Sequence, residues 1–323
     1  MDIAIIGGGA SGLCSAICAA RNLRKKGLSG KVTVLERSQK VGRKLLATGN
    51  GRCNLMNENI SLSSFHGDIK IAESVFSRFS YDEISEFFSS LGLLTRADSM
   101  GRVYPYSNRA DTVLSTLLLA CKQYGVEIIT DFTVLDIKRH KDKLEIISES
   151  YKISASSVII ACGSRANKGL GSNLGYELLG KIGVSYSPLF PSLTSVAVSE
   201  NISMLKGVRV RGNVKFLADK QIIHSEDGEI QFTDKSLSGI CVFNISRYAG
   251  EFFRLGTING NNCENIRIEL NLMPEYPFSE IISLFRKKSP INMIKNILNC
   301  KEINSVVPIN FRSCSFLLFQ YRN

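Results

Sequence analysis

Residues 2–12 read Asp2-Ile3-Ala4-Ile5-Ile6-Gly7-Gly8-Gly9-Ala10-Ser11-Gly12, and their order decides the fold. The run from Ile3 to Ile6 is short and apolar, as a strand buried in a parallel sheet requires. Beyond the glycines comes a helical stretch to about Lys26, with Ala16, Ala19 and Ala20 on one side. Val32-Thr33-Val34-Leu35 forms a second strand that stops at Glu36, 24 positions beyond Gly12. This is a βαβ unit. Gly7 permits the tight turn out of the strand, Gly9 lets a pyrophosphate approach the backbone, and Gly12 lets the helix pack closely on the sheet. The N–H groups of the first helical turn, from Ala10 and Ser11 onward, meet phosphate charge at the positive end of the helix. Glu36 accepts hydrogen bonds from a ribose and repels the 2′-phosphate of NADP, which leaves FAD or NAD; Arg37, next to it, joins the candidate set.

The chain beyond Glu36 leans to FAD. A simple NAD dehydrogenase continues with further βα units. Here residues 37–68 are loop-like, and helical patterns cover about 70–79, 82–92 and 109–124. Alternating strands then run over 127–129, 133–137, 144–148 and 151–154, a meander that returns to a last buried strand at 158–161. After a loop and a helix at about 173–182, the texture changes around Pro188 and Pro191. Residues 192–233 alternate in strand fashion and 275–298 become helical. The expected fold is α/β: a Rossmann-like FAD-binding domain over 1–190, an inserted β-rich domain over 191–270, and a helical segment with an unpatterned tail over 271–323.

The chain carries a formal net charge of +11. The excess lies at its two ends, +7 over residues 1–60 and +6 over 281–323. Near the N-terminus a phosphate-binding site explains it, so a small-molecule substrate is expected rather than a nucleic acid. The nine cysteines form no C-x-x-C pair and only three histidines are present, which supports neither a zinc site nor a disulfide framework. No apolar run reaches the roughly 18–20 residues of a membrane-spanning helix. Asp2 and the glycines at 7–9 break any signal-peptide pattern, so a soluble, cytoplasmic protein is expected. The oligomeric state stays open.

The stretch Gly42-Arg43-Lys44-Leu45-Leu46-Ala47-Thr48-Gly49-Asn50-Gly51-Arg52-Cys53-Asn54 resembles the signature of the BaiN-type NAD(P)/FAD-dependent oxidoreductases, a family of bacterial flavoproteins. Further segments resemble that family in the same order. They are Gly101-Arg102-Val103-Tyr104-Pro105, Ala161-Cys162-Gly163, Pro191-Ser192-Leu193, Gly228-Glu229-Ile230-Gln231-Phe232-Thr233 and Leu237-Ser238-Gly239. Together they cover about residues 1–290. The resemblance implies FAD as cofactor, with Arg43, Lys44, Asn50, Gly51, Arg52, Cys53 and Asn54 on its flavin side. It also implies that Val134 holds the adenine through its backbone, and that Cys162 and Gly163 form the turn where the family has A-T-G-G. Without it, 42–54 reads as a solvated basic loop and Val134 as plain core. Cys53 has no nearby thiol with which to form a redox pair.

The resulting expectation is a flavoenzyme, reduced by transiently bound NAD(P)H, that passes hydride to an organic substrate or to oxygen. Nothing in the sequence names a catalytic acid or base. A tRNA-modifying flavoprotein is a second class suggested by the charge. Two departures from the family pattern bear on activity. Ser164 replaces a second glycine, which is expected to restrict approach to the cofactor. Family members also continue beyond residue 323 with a further Gly-rich segment and a helix, so one wall of the flavin pocket is expected to be open and an inactive remnant is a third reading.

Overall fold

Ile3–Ile6 forms strand β1, Ala10–Lys25 helix α1 and Val32–Leu35 strand β2. All four residues of β2 are buried, as its unbroken apolar run requires. In the computed structural model, which describes residues 1–167, 169–277, 280 and 316–320, the chain divides into two compact units, Met1–Tyr186 and Ser187–Asn323. Helix α1 buries Gly12, Leu13, Ala16, Ile17, Ala20 and Leu23, and it places Arg24 and Lys25 in its last turn, where cations suit the helix dipole.

The first unit continues with α2 (Arg43–Ala47), β3 (Met56–Asn57), α3 (Ile69–Phe76), α4 (Tyr81–Ser90), β4 (Thr95–Ala97), β5 (Arg102–Pro105), α5 (Ala110–Gln123) and β6 (Glu127–Ile129). Then come β7 (Asp136–His140), β8 (Lys143–Ile147), β9 (Lys152–Ala155), β10 (Ser157–Ile160) and α6 (Leu174–Lys181). A parallel sheet in the order β10-β1-β2-β6 carries the unit. One layer of its core packs α1 and α5 together through Leu13, Ile17, Val113 and Leu117. The meander β7-β8-β9 is antiparallel, and β3, β5 and β4 form a separate small sheet.

Two expectations change here. Residues 127–129 belong to the parallel sheet as β6, not to the meander. Residues 133–135 are not strand; the meander begins only at Asp136. The cause is the crossing between them. Asp131 adopts a left-handed φ of 53° and the Phe132 N–H donates to the Glu36 carbonyl, which carries the chain over the end of β2. A short helix, α2, also lies inside the stretch that reads as loop.

The second unit contains β11 (Val196–Ala197), β12 (Arg209–Ala218), β13 (Gln221–Phe232), β14 (Ser236–Ser238), α7 (Ile240–Leu255), β15 (Thr257–Ile258), β16 (Asn261–Asn262), β17 (Ile266–Asn271) and β18 (Phe316–Gln320). Its main sheet is antiparallel in the order β11-β14-β13-β12-β17-β18. Alternate residues of β12 and β17, among them Val214, Phe216, Ile268 and Leu270, point inward against Val242 and Ile245 of α7. The β-rich reading of this region therefore omits a 16-residue helix. Within the tail read as unpatterned, residues 316–320 extend the sheet along β17. The helical pattern at 275–298 lies almost wholly outside the described residues. Among those residues no helix is long and apolar enough to cross a membrane.

Candidate cofactor site

The site lies in the first unit, at the C-terminal ends of β1, β2 and β10, where the connection reverses on either side of β1. Gly7 leaves β1 with φ 111°, and a Cβ there would lie 2.4 Å from the Ala161 carbonyl oxygen. A Cβ on Gly12 would lie 1.8 Å from the Gly7 oxygen, so glycine here lets α1 seat closely on the sheet, and the residue itself is not among those that line the cleft. Gly9 is different. A Cβ there would meet nothing within 4 Å and would project into free space. As N-cap of α1, Gly9 supplies no side chain, and the Leu13 N–H is the first to bond back, to the Gly9 oxygen at 3.0 Å. The N–H groups of Ala10, Ser11 and Gly12 are thus left at a dipole end with no acidic residue in the first turn.

Glu36 is half-buried and held by two backbone donors. The Gly8 N–H donates to Oε2 at 2.8 Å and the Ser38 N–H to Oε1 at 2.9 Å. The remaining lone pairs of its carboxylate can accept from hydroxyls. Arg37 spans to the opposite wall and donates to Ser172 Oγ at 3.3 Å and to the Gly171 carbonyl at 3.4 Å. Lys44 Nζ donates to the Ser164 carbonyl at 3.0 Å. Arg43 stands at the same rim.

Val134 is fully buried and lines the cleft beside Phe132. Its N–H and C=O bond to no other described residue, so its backbone is free to meet a polar ring edge. Cys162 and Gly163 close the floor. Burial above all, with the Glu36 charge adding to it and Arg37 opposing, pushes the Cys162 thiol up to about 11, which keeps it protonated and poorly nucleophilic at neutral pH. Gly163 takes a left-handed φ of 74°. Ser164 does not, and it is not among the residues that line the cleft.

The cleft therefore brings together Gly7, Gly9, Ala10, Ser11, Glu36, Arg37, Arg43, Lys44, Val134, Cys162 and Gly163. It does not include Asn50, Gly51, Arg52, Cys53 or Asn54. These follow Thr48, the last cleft residue of that segment, in a loop of unusual backbone. Gly49, Asn50, Gly51 and Cys53 are all left-handed, with φ of 55°, 57°, 82° and 58°. For Cys53, which lacks the tolerance of glycine or asparagine, this costs on the order of 1–3 kcal/mol. Its side chain is buried, and burial raises its thiol pKa, partly offset by a hydrogen bond from Thr48.

The sequence did not single out Lys40, which adds a fourth cation to the rim, nor Ser38, Leu170, Ser172 and Leu174. Leu170 and Ser172 come from the loop before α6, and Leu174 is the first residue of that helix. That loop was legible only as a helix entry, and there Ser172 Oγ accepts the Leu174 N–H while Asn173 makes no side-chain cap.

The family model described as HI0933-like protein Rossmann domain matches residues 1–281. The chain is 37% identical over 286 residues to a 3-dehydro-bile acid delta(4,6)-reductase of Clostridium scindens, covering 88% of this chain and 67% of that protein. It is 26% identical over 303 residues to a ribosomal RNA dihydrouridine synthase of Haemophilus influenzae, covering 91% and 70%. With the enzyme of that name from Escherichia coli it shares 24% over 311 residues, covering 92% and 70%. With a fingerprint-bearing Rossmann unit and this match over most of its length, the chain belongs to the HI0933-like Rossmann family of BaiN-like, FAD-dependent oxidoreductases.

Proposed function

We propose that this protein is an FAD-dependent reductase that acts on a carbon–carbon double bond conjugated to a carbonyl, with NAD(P)H as a transiently bound reductant. One observation carries the cofactor assignment: the free space over Gly9 faces the unpaired N–H groups of α1 and is rimmed by Arg37, Lys40, Arg43 and Lys44. A diphosphate fits that donor set and that charge. Glu36 fits ribose hydroxyls, since Gly8 and Ser38 hold its carboxylate in place. The Val134 backbone fits an adenine edge. When bound, FAD supplies two-electron hydride chemistry at its ring system. The chain's own part is to bind and orient it, with Lys44 tied to the turn at 163–164 as a fixed positive charge.

The substrate class rests on the relatives' names. A delta(4,6)-reductase of a 3-dehydro-bile acid and a dihydrouridine synthase both saturate a double bond in conjugation with a carbonyl. Purified protein is expected to be yellow, and its visible band is expected to bleach anaerobically with NADH or NADPH and return on adding a conjugated enone. Protein that stays colourless after incubation with FAD overturns this function.

A second reading, an RNA-modifying flavoprotein, draws on the two ribosomal RNA dihydrouridine synthases and on the basic N-terminal 60 residues. It predicts binding to ribosomal RNA fragments that weakens steeply with salt. Absence of binding at low salt removes it.

A further inference from the structure

Arg52 stands out among the side chains that the cofactor cleft does not use. It comes after three consecutive left-handed residues, Gly49, Asn50 and Gly51, and precedes a fourth such position at Cys53. The loop closes on itself, with the Arg52 N–H donating to the Gly49 carbonyl and the Cys53 N–H to the Thr48 carbonyl. The guanidinium is then fixed twice. Nε donates to the Gly49 carbonyl at 3.4 Å, and the group lies over the Tyr104 ring, 4.6 Å from its centre. Tyr104 is itself buried in β5, so the platform under the cation is rigid.

This arrangement leaves the two Nη groups without a partner among the described residues, on a side chain that is exposed. A guanidinium stacked on a ring offers its remaining donors in its own plane, the geometry suited to an sp2 oxygen. Thr48 lines the cleft and Arg52 does not, but the hydrogen bond from the Cys53 N–H to the Thr48 carbonyl ties the Arg52 loop directly to that cleft residue. No carboxylate among the described residues pairs with it, in contrast to Arg102 and Arg109, which are held by Asp98 and Asp111.

We propose that Arg52 is a substrate-binding residue that donates to the carbonyl oxygen of a conjugated enone, with Tyr104 as the residue that positions it. The proposal rests on the function given above and adds the group that recognises the substrate. Hydrogen bonds from a cation are the strong ones, and an oxygen conjugated to the reacting double bond is the one whose electron demand matters.

The test uses the full chain loaded with FAD and a 3-oxo-delta(4,6) bile acid as probe, with binding read from the perturbation of the visible flavin spectrum. Arg52→Ala is expected to weaken enone binding about tenfold or more, while FAD affinity and bleaching by NAD(P)H stay at the parental level. Arg52→Lys, which keeps the charge but not the planar fork, is expected to fall between the two. Tyr104→Phe keeps the ring face and is expected to bind as the parent does, whereas Tyr104→Leu is expected to weaken binding several-fold. Unchanged enone affinity in Arg52→Ala overturns the proposal, and so does loss of FAD from that variant, which would make Arg52 a cofactor ligand. A parent that holds FAD but does not bind the enone overturns it and leaves the flavin reading standing. A parent that takes up no FAD overturns both.

Discussion

At Gly9 and Gly12 the same substitution has opposite consequences, because the two glycines answer different demands. A methyl group on Gly9 meets no protein atom, whereas on Gly12 it meets the Gly7 carbonyl oxygen at 1.8 Å. Gly9→Ala is therefore expected to leave the Tm of the FAD-free protein unchanged and to weaken FAD binding about tenfold or more, measured by fluorescence titration. Gly12→Ala is expected to lower that Tm by forcing α1 off the sheet. An FAD affinity unchanged by Gly9→Ala would place the diphosphate elsewhere. The Cys162 thiol gives a second probe of the cleft. Because burial holds it at about 11, only roughly one molecule in a thousand carries the thiolate at pH 8. Alkylation at this cysteine, read by peptide mass spectrometry, is expected to quicken about tenfold per pH unit up to that value and to stop when FAD fills the cleft. Modification equally fast at pH 7 and pH 9 would contradict the burial.

Among the long helices, α7 was the one hidden from the sequence. Its residues include Ile240, Val242, Phe243, Ile245 and Tyr248, types that also favour strands, and it comes after a run of alternating strand pattern. It has no side-chain cap to announce its start; Gly239 turns the chain into it with φ 109°. A Cβ on Gly239 would lie 2.0 Å from the Glu229 carbonyl oxygen of β13. Gly239→Ala is expected to destabilise the second unit by about 1–3 kcal/mol in urea unfolding, by strain and by collision with that strand. If α7 is instead set by its own helical propensity, the change will be near zero. The strands β12 and β13 were easier to foresee in kind, since alternating residues mark a buried face within 192–233. The meander was misplaced at its start because the crossing at 131–134 depends on a hydrogen bond to Glu36, a residue nearly a hundred positions away.

For the whole molecule, the division into Met1–Tyr186 and Ser187–Asn323 falls in a stretch with neither helix nor strand between Lys181 and Val196. Most of that stretch is exposed. It contains Tyr186, Leu189 and Leu193, none followed by proline, but no Lys or Arg, so chymotrypsin and not trypsin is expected to make its first cut there. Gel and mass analysis of a brief digest checks this; first cuts inside either unit would contradict it. The basic N-terminal region, ambiguous between phosphate and nucleic acid as a count, resolves in part into a place: Arg37, Lys40, Arg43 and Lys44 share one cleft. The sequence by itself determined the βαβ unit, its fingerprint glycines and Glu36, because a strand, a tight turn and a helix are set by neighbours within some 35 residues. It could also identify 42–54 as a special segment. Only the tertiary structure decided which residues of that segment line the cleft and which do not. It also showed that Arg37 meets the loop before α6, that Tyr104 carries Arg52, and that a helix covers the second sheet. Those pairings join residues far apart in the chain, and their geometry exists only once the strands and helices between them have packed.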